Sequence, residues 1–420
     1  MTNEQTPQRG SGAPSAVLAA AAVSGVAGYV VLVVVARYLT PAANAEFLVF
    51  WGALFGMFGV LIGVATETTR AVHSASRQPG RAGARVLPEV VLLATGLVAV
   101  LGATGLLWAP RVLGSEWPQL LAALLTGSLL FAGHCFVAGS AAGRGQWTTY
   151  SLFVGSEAVA RLVLVGAAVL VGALVGGLAW AVALACGAWL LLSLLPVARI
   201  RTAVAVTGDV SRTGLRGRLV AACTASGASS LLLVGFPVLL RLTTPDQVFA
   251  GAAPLILAVS LSRAPLLVPL NAYQNVVVTR VVSHGVGALR HTTALLIGAT
   301  ALGAGAAVLI GPALLRVINP EYDVSGVVFG LLVVAAGLVG SLTLTGAASI
   351  ALDHHTAYLV GWVAATAVST LLLLVLPFPL ETRVVLALLG GPLAGIGIHL
   401  AFGARGSPVP ARRHVPGGTS

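Results

Sequence analysis

Twelve stretches of about 20 apolar residues divide this chain, and at about 1.5 Å per helical residue each can cross about 30 Å of hydrocarbon. They run over 16–36, 47–65, 86–107, 120–142, 151–171, 178–198, 219–240, 248–270, 292–315, 324–348, 357–376 and 384–402. Segments of this kind span a bilayer as helices, because a helix satisfies its own backbone donors and acceptors where no water can. The composition offers no other setting. Hydrophobic residues make up 57% of the chain and charged residues 8%, with a mean hydropathy of +0.98, which cannot cover a water-soluble surface. The fold class expected is an all-α polytopic membrane protein.

The chain also repeats itself. Arg37-Tyr38-Leu39-Thr40-Pro41 returns 204 positions later as Arg241-Leu242-Thr243-Thr244-Pro245. At the same offset Glu67 and Arg70, closing the second span, match Asn271 and Gln274. The echo predicts two six-helix lobes related by a pseudo-two-fold axis, with a substrate path between them near the midplane. In each copy the arginine is expected to snorkel to headgroups and the Thr-Pro to start the next helix.

All 23 basic residues are arginine, so there is no Walker A lysine and no Schiff-base lysine. The net charge of +11 reflects topology and not nucleic acid. Sixteen arginines fall in connectors on one side and five on the other, which places both termini in the cytoplasm. The organisation expected is a cytoplasmic tail over 1–15, a first lobe over 16–198, a basic linker over 199–218, a second lobe over 219–403 and a disordered cytoplasmic tail over 404–420. The first span reads as an uncleaved signal anchor. No connector is long enough to hold a soluble domain. A lysine-free chain rich in arginine, alanine and valine is what a GC-rich genome encodes, as in actinomycetes.

Cys135, Cys186 and Cys223 lie in apolar spans without ligand spacing and read as small core residues. His354 and His355 beside Asp353 read as a solvated turn, so no metal or other cofactor is expected. Small residues four apart, such as Gly52 and Gly56 or Gly59 and Gly63, read as close helix packing.

Charges inside spans carry the functional signal, since each costs about 2.5 to 3.5 kcal/mol at a helix centre. Glu157 and Arg161 are four apart and share a helix face. They form either a self-neutralising pair or the wall of an aqueous cavity, with Arg161 on a phosphate oxygen and Glu157 orienting it. Arg263 has no acid within a turn. Pro265 and Pro269 predict a kinked helix with free carbonyls beside it, which suits an anion-binding cavity; the alternative is an interfacial arginine that snorkels. Asn271, Tyr273 and Gln274 form a polar cluster that can hydrogen-bond sugars or headgroups. Glu67 reads as a surface pair with Arg70, three residues on, with ion coupling as a second role. His134 reads as an interhelical hydrogen bond or a proton-coupling group. No catalytic residues are expected.

The segment Ala36-Arg37-Tyr38-Leu39-Thr40-Pro41, followed by Ala45-Glu46-Phe47, resembles the R-x-L-G-P-x-x-(Y/F)-G opening of bacterial polysaccharide flippases, with Thr40 and Leu48 in place of the glycines. Gly143-Arg144-Gly145-Gln146-Trp147, Tyr150, Glu157 and Arg161 are similar to a pattern entering the fifth helix of actinobacterial members. With the repeat, the resemblance is to the multidrug/oligosaccharidyl-lipid/polysaccharide (MOP) flippase superfamily, in its polysaccharide or O-antigen branch. It implies a MATE-like arrangement of two lobes around a cationic cavity that receives a diphosphate sugar headgroup while the polyprenyl tail stays in lipid. Lipid II flippases commonly have fourteen helices, two more than expected here.

The function expected is a flippase of the bacterial cell membrane. It moves a lipid-linked oligosaccharide of polyprenyl-diphosphate type, or a related anionic glycolipid, by alternating access for envelope polysaccharide synthesis. Its expected partners are membrane lipids and envelope glycosyltransferases or a polymerase. The alternatives are a drug/cation antiporter of the same superfamily, a transport-inactive scaffold, and a membrane glycosyltransferase or polymerase, against which the short outer connectors argue.

Overall fold

The computed structural model describes residues 13–77, 83–194, 205–284, 287 and 289–405, with backbone alone at 13–15, 268–269, 271–280, 282–284 and 403–405. The two expected tails lie largely outside the described residues. Among the described residues, nine helices are long and apolar enough to cross a membrane, and up to eleven if each of two bent pairs is one span. The apolar segment Ala253–Leu267 takes the place of the eighth expected span. The all-α class expected from the sequence is the one observed.

In the first half, α1 (Ala13–Tyr38) ends at the repeated motif and α2 (Pro41–Ser76) begins there. Thr40 caps α2 by accepting from the Ala43 amide at 3.4 Å, with Pro41 in the first turn, where its missing N–H costs nothing. At 36 residues, α2 is about 54 Å long and outruns the expected 47–65 span. Its polar end continues as helix, held by pairing described below. Then follow α3 (Val86–Leu113), α4 (Trp117–Gly143) and α5 (Trp147–Leu170). The sixth expected span is bent by 40° between α6 (Val175–Ala185) and α7 (Ala188–Leu194).

The second half departs from the first at its opening. The seventh expected span is broken by 60° between α8 (Arg212–Leu233) and α9 (Phe236–Thr243). The break falls at Gly235, with Pro237 following, and proline can donate no helical N–H. The second Thr-Pro copy starts only a four-residue turn, α10 (Asp246–Phe249), instead of the expected long helix. No side-chain bond caps it, and the long helix begins after Gly251, as α11 (Ala253–His284). Arg241 does not snorkel as expected. Its side chain is 13% exposed, pairs with Asp246 at 2.6 Å and lies over the Phe249 ring. The remaining helices are α12 (Leu289–Ile318), α13 (Gly326–Ala351), α14 (His355–Val375) and α15 (Leu380–Arg405). As the fourth span of each half, α4 and α13 are equivalent, and both are mostly buried, 61% and 67% of their apolar windows.

The halves meet along α2 and α8 at glycine contacts. A Cβ on Gly59 or Gly63 would come within 3.0 Å of Ser230 or of the Cys223 backbone, so helix approaches helix with nothing between. On the side where α1 begins, residues 205–210 are fastened to the first half. Ala84 donates to the Val210 carbonyl at 2.9 Å, Val86 to Val206 at 3.1 Å, and Gly208 back to Ala84 at 2.8 Å. Arg70 grips Glu67 at 2.7 Å and Asp209 at 2.9 Å, and Arg216 pairs with the buried Glu89. On the opposite side, Asn44 donates to the Tyr322 hydroxyl at 2.6 Å and Asn319 to the Ala36 carbonyl at 2.8 Å.

Hydrogen bonds from Arg70 hold the Asp209 carboxyl below its ordinary pKa. A depressed folded-state value contributes stability above the unfolded value and loses it as pH falls through the folded one. The protection factors of the Val86 and Gly208 amides should therefore be high at neutral pH and collapse below the ordinary aspartate value of 3.8. In Asp209→Asn they should be low throughout, as read by hydrogen exchange with intrinsic rates removed.

Candidate functional site

A cavity of about 410 Å³ lies where α1, α2 and α5 of the first half face the α8–α9 corner and α11 of the second. Among the described residues that line it, the charged ones are Arg161 and Arg263, and no acid is present. Tyr29, Trp51, Phe55 and Phe236 supply aromatic walls.

Arg161 is carried on α5 and is 3% exposed. Its Nε donates to Glu157 Oε1 at 3.1 Å and its Nη2 to Oε2 at 2.5 Å, a bidentate pair one helical turn long. Glu157 stands behind the arginine and off the cavity. The guanidinium carbon lies 5.0 Å from the Phe55 ring centroid and 5.9 Å from that of Trp51, whose rings stack on each other at 4.1 Å. Gly28 of α1 leaves the approach open, since a Cβ there would stand 3.7 Å from Arg161 Nη1. The pair therefore neutralises its own charge and still offers one guanidinium edge to the cavity.

Arg263, on α11 and 7% exposed, solves its burial differently. Its Nη1 donates to the Leu232 carbonyl at 3.1 Å and to the Leu233 carbonyl at 2.5 Å. These carbonyls are free because α8 stops there, and Pro237 has no N–H to reach back to Leu233. The free carbonyls expected at Pro265 and Pro269 are thus supplied by the neighbouring break, and α11 runs on through both prolines. The end of a helix also carries partial negative charge, which favours a cation. Arg263 Nη2 is buried and has no partner among the described residues. That unspent donor and the absence of a lining acid make the cavity cationic.

The other residues singled out in the sequence lie elsewhere. Asn271, Tyr273 and Gln274 are on α11, and their side chains fall outside the described residues. Glu67 is 5% exposed and its partner Arg70 is part-exposed, so the expected pair forms with its acid buried. Both of its oxygens accept from Arg70, which also reaches Asp209. His134 is buried off the cavity and stacks on Phe131 at 5.4 Å, with Nδ1 unpartnered among the described residues. A chain of rings links it to the site: Phe131 stacks on Phe58 at 3.9 Å, and Phe58 lies 5.0 Å from Phe55. Trp51 and Phe55 were legible as an i,i+4 aromatic pair, but nothing in the sequence aims them at Arg161.

Removing Arg161 alone should leave Glu157 buried and unpaired, which costs about 3–5 kcal/mol. Arg161→Ala should therefore unfold at a clearly lower temperature in detergent than the double change Glu157→Gln with Arg161→Gln. Equal losses would mean that the two side chains are not coupled.

No family model matches the chain. The uncharacterized protein Rv1510 of Mycobacterium tuberculosis is 43% identical over 404 residues, covering 94% of this chain and 92% of its own length. Among solved structures, the chain is similar to the inward-facing conformation of a multidrug resistance MATE family transporter of the MOP superfamily. The TM-score is 0.67 at 15% identity, over 92% of this chain and 94% of the other. It is also similar to a MOP superfamily transporter from Pyrococcus furiosus whose reversed binding-pocket polarity suggests a different function. There the TM-score is 0.62 at 14% identity, over 93% and 95% of the two chains. The fold is that of the MATE-type MOP transporters.

Proposed function

We propose that this chain, which belongs to the family of the mycobacterial protein Rv1510, is a membrane transporter that flips an anionic, lipid-linked oligosaccharide of polyprenyl-diphosphate type across the bacterial cell membrane. The observation that carries this reading is the charge of the cavity between the halves. Its lining holds two arginines and no acid, and Arg263 keeps a buried donor unused. A guanidinium donor in a low-dielectric wall meets a phosphate oxygen with a charge-assisted bond. Trp51, Phe55 and Tyr29 give flat faces and a hydroxyl for the attached sugars.

The same polarity argues against the drug/cation antiporter. That chemistry needs a carboxylate free to exchange a proton or sodium for a cation. Glu157 and Glu67 each have both oxygens taken by an arginine. A structural relative with reversed pocket polarity gives a precedent for this fold holding a pocket of another sign. Alternating access would rock the halves about the α2–α8 seam, exchanging the Asn44–Tyr322 and Asn319–Ala36 ties on one side for opening there.

The test is translocation of a fluorescent polyprenyl-diphosphate oligosaccharide in proteoliposomes. Arg263→Lys, which can still donate to the Leu232 and Leu233 carbonyls but has no second guanidinium edge to offer the cavity, should lower the rate by about tenfold or more. Unchanged transport, or cation efflux abolished by Glu157→Gln in its place, would overturn the proposal and favour the antiporter. Full envelope function with the double arginine substitution would point to a scaffold.

A further inference from the structure

The two arginines of the cationic cavity offer different chemistry. Arg161 donates from Nε and Nη2 to Glu157, 3.1 and 2.5 Å away, and that pair is neutral as a whole. Its remaining amino group, Nη1, has no partner among the described residues and lies beside Gly28 of α1. Arg263 is held by two backbone carbonyls, keeps its full charge and still has the buried Nη2 to give. One part of the lining therefore carries a positive field, and another carries a donor without one.

Gly28 is where that neutral part stands open. A Cβ there would lie 3.7 Å from Arg161 Nη1 and 3.9 Å from Trp51 Cζ2, and among the described residues nothing else comes within 4 Å. The vacant place over Gly28 is thus bounded by a hydrogen-bond donor on one wall and the edge of an indole on another. Trp51 is fixed in position, since it stacks on Phe55 at 4.1 Å and is buried. Ser24, one helical turn earlier on α1, lines the same cavity. An alanine would fit at position 28 at ordinary contact distance and would favour the helix more than glycine does. The helix gives up that stability and leaves the place empty.

We infer that the place over Gly28 is the subsite for the sugar next to the phosphate, that the sugar it takes is neutral, and that Gly28 sets the bulk allowed there. This rests on the proposed function and adds the class of sugar to it. A pyranose presents C–H groups on its faces and hydroxyls around its rim. The hydroxyls accept from Arg161 Nη1, and the C–H groups pack against Trp51, where burying them is favourable. A uronic acid in the same place gains little. Glu157 already neutralises this guanidinium from behind, and a second carboxylate would be repelled by it in a medium of low dielectric. Arg263 has no such counter-charge, so the phosphate is drawn to Arg263 and the sugar lies toward Gly28.

The experiment measures the binding of three lipids to the full-length protein in nanodiscs: a polyprenyl diphosphate, the same lipid carrying one neutral hexose, and the same lipid carrying one hexuronic acid. The hexose should tighten binding about tenfold over the bare lipid, and the hexuronic acid should not. Gly28→Leu, which fills the vacant place, should remove the gain. Gly28→Ala, whose Cβ sits at ordinary contact distance and which folds at least as stably as the parent, should lower it to about threefold. Gly166→Leu, on α5 with open space around it and off the cavity, should keep the whole gain. A gain that both Gly28 variants leave whole, or an equal gain from the hexuronic acid, would overturn the subsite. Arg263→Lys separates this inference from the headgroup reading. Bare-lipid binding weakened in that variant, together with a Gly28-dependent hexose gain, supports both. Bare-lipid binding weakened there without such a gain sinks the sugar subsite alone. A Gly28-dependent gain with bare-lipid binding indifferent to Arg263 keeps the subsite and sinks the phosphate reading.

Discussion

An arginine buried in a membrane protein without an acid must find acceptors in the backbone, and the way Arg263 finds them organises the centre of this molecule. A guanidinium at the middle of a span costs about 2.5 to 3.5 kcal/mol, while a hydrogen bond from a charged donor contributes about 1.5 to 3 kcal/mol. Two carbonyls are therefore enough to hold it, and a helix that ends releases adjacent carbonyls. The α8–α9 break releases those of Leu232 and Leu233 where Arg263 can reach both. Break and arginine stabilise each other, and the arginine still has Nη2 to give.

The two cavity arginines are consequently not equivalent. Arg161 is bound by a carboxylate of its own helix, brings no net charge and is oriented between Glu157 and the Trp51–Phe55 stack. Arg263 is bound by neutral dipoles and keeps its full charge. One guanidinium is held in a fixed orientation and the other is the source of the positive field. The rest of the molecule holds these parts in register: glycine contacts between α2 and α8, the Arg70 clasp on one side and the Asn44 and Asn319 ties on the other.

The helical class and most of the spans were legible because about 20 apolar residues in succession have one solution in a membrane. The Glu157–Arg161 pair was legible because i,i+4 spacing is a local property. The break at Gly235 was not. Its residues are apolar, and Gly-Phe-Pro inside a long hydrophobic run looks like continuous span to any measure of hydropathy. Prolines 265 and 269 pointed to the wrong helix, since a proline leaves a helix unbroken when its neighbours hold the backbone, as in α11. The repeat misled in a similar way: matching Thr-Pro pairs at 40–41 and 244–245 start a 36-residue helix in one half and a four-residue turn in the other. Arg263 was marked by its isolation, but its partners are main-chain atoms 30 and 31 residues away, which no side-chain pattern encodes. Glu67 appeared to be a surface residue because Asp209, the second acid on its arginine, lies 139 residues from that arginine.

The central claim is that the unpaired edge of Arg263 meets phosphate. An experimental structure of the protein with a polyprenyl-diphosphate glycolipid in nanodiscs tests it most directly. The account predicts phosphate density between the two guanidinium groups, within hydrogen-bond distance of Arg263 Nη2, with the Leu232 and Leu233 carbonyls still on Nη1. Phosphate bound away from both arginines, with Arg263 turned wholly onto the broken helix end, would contradict it.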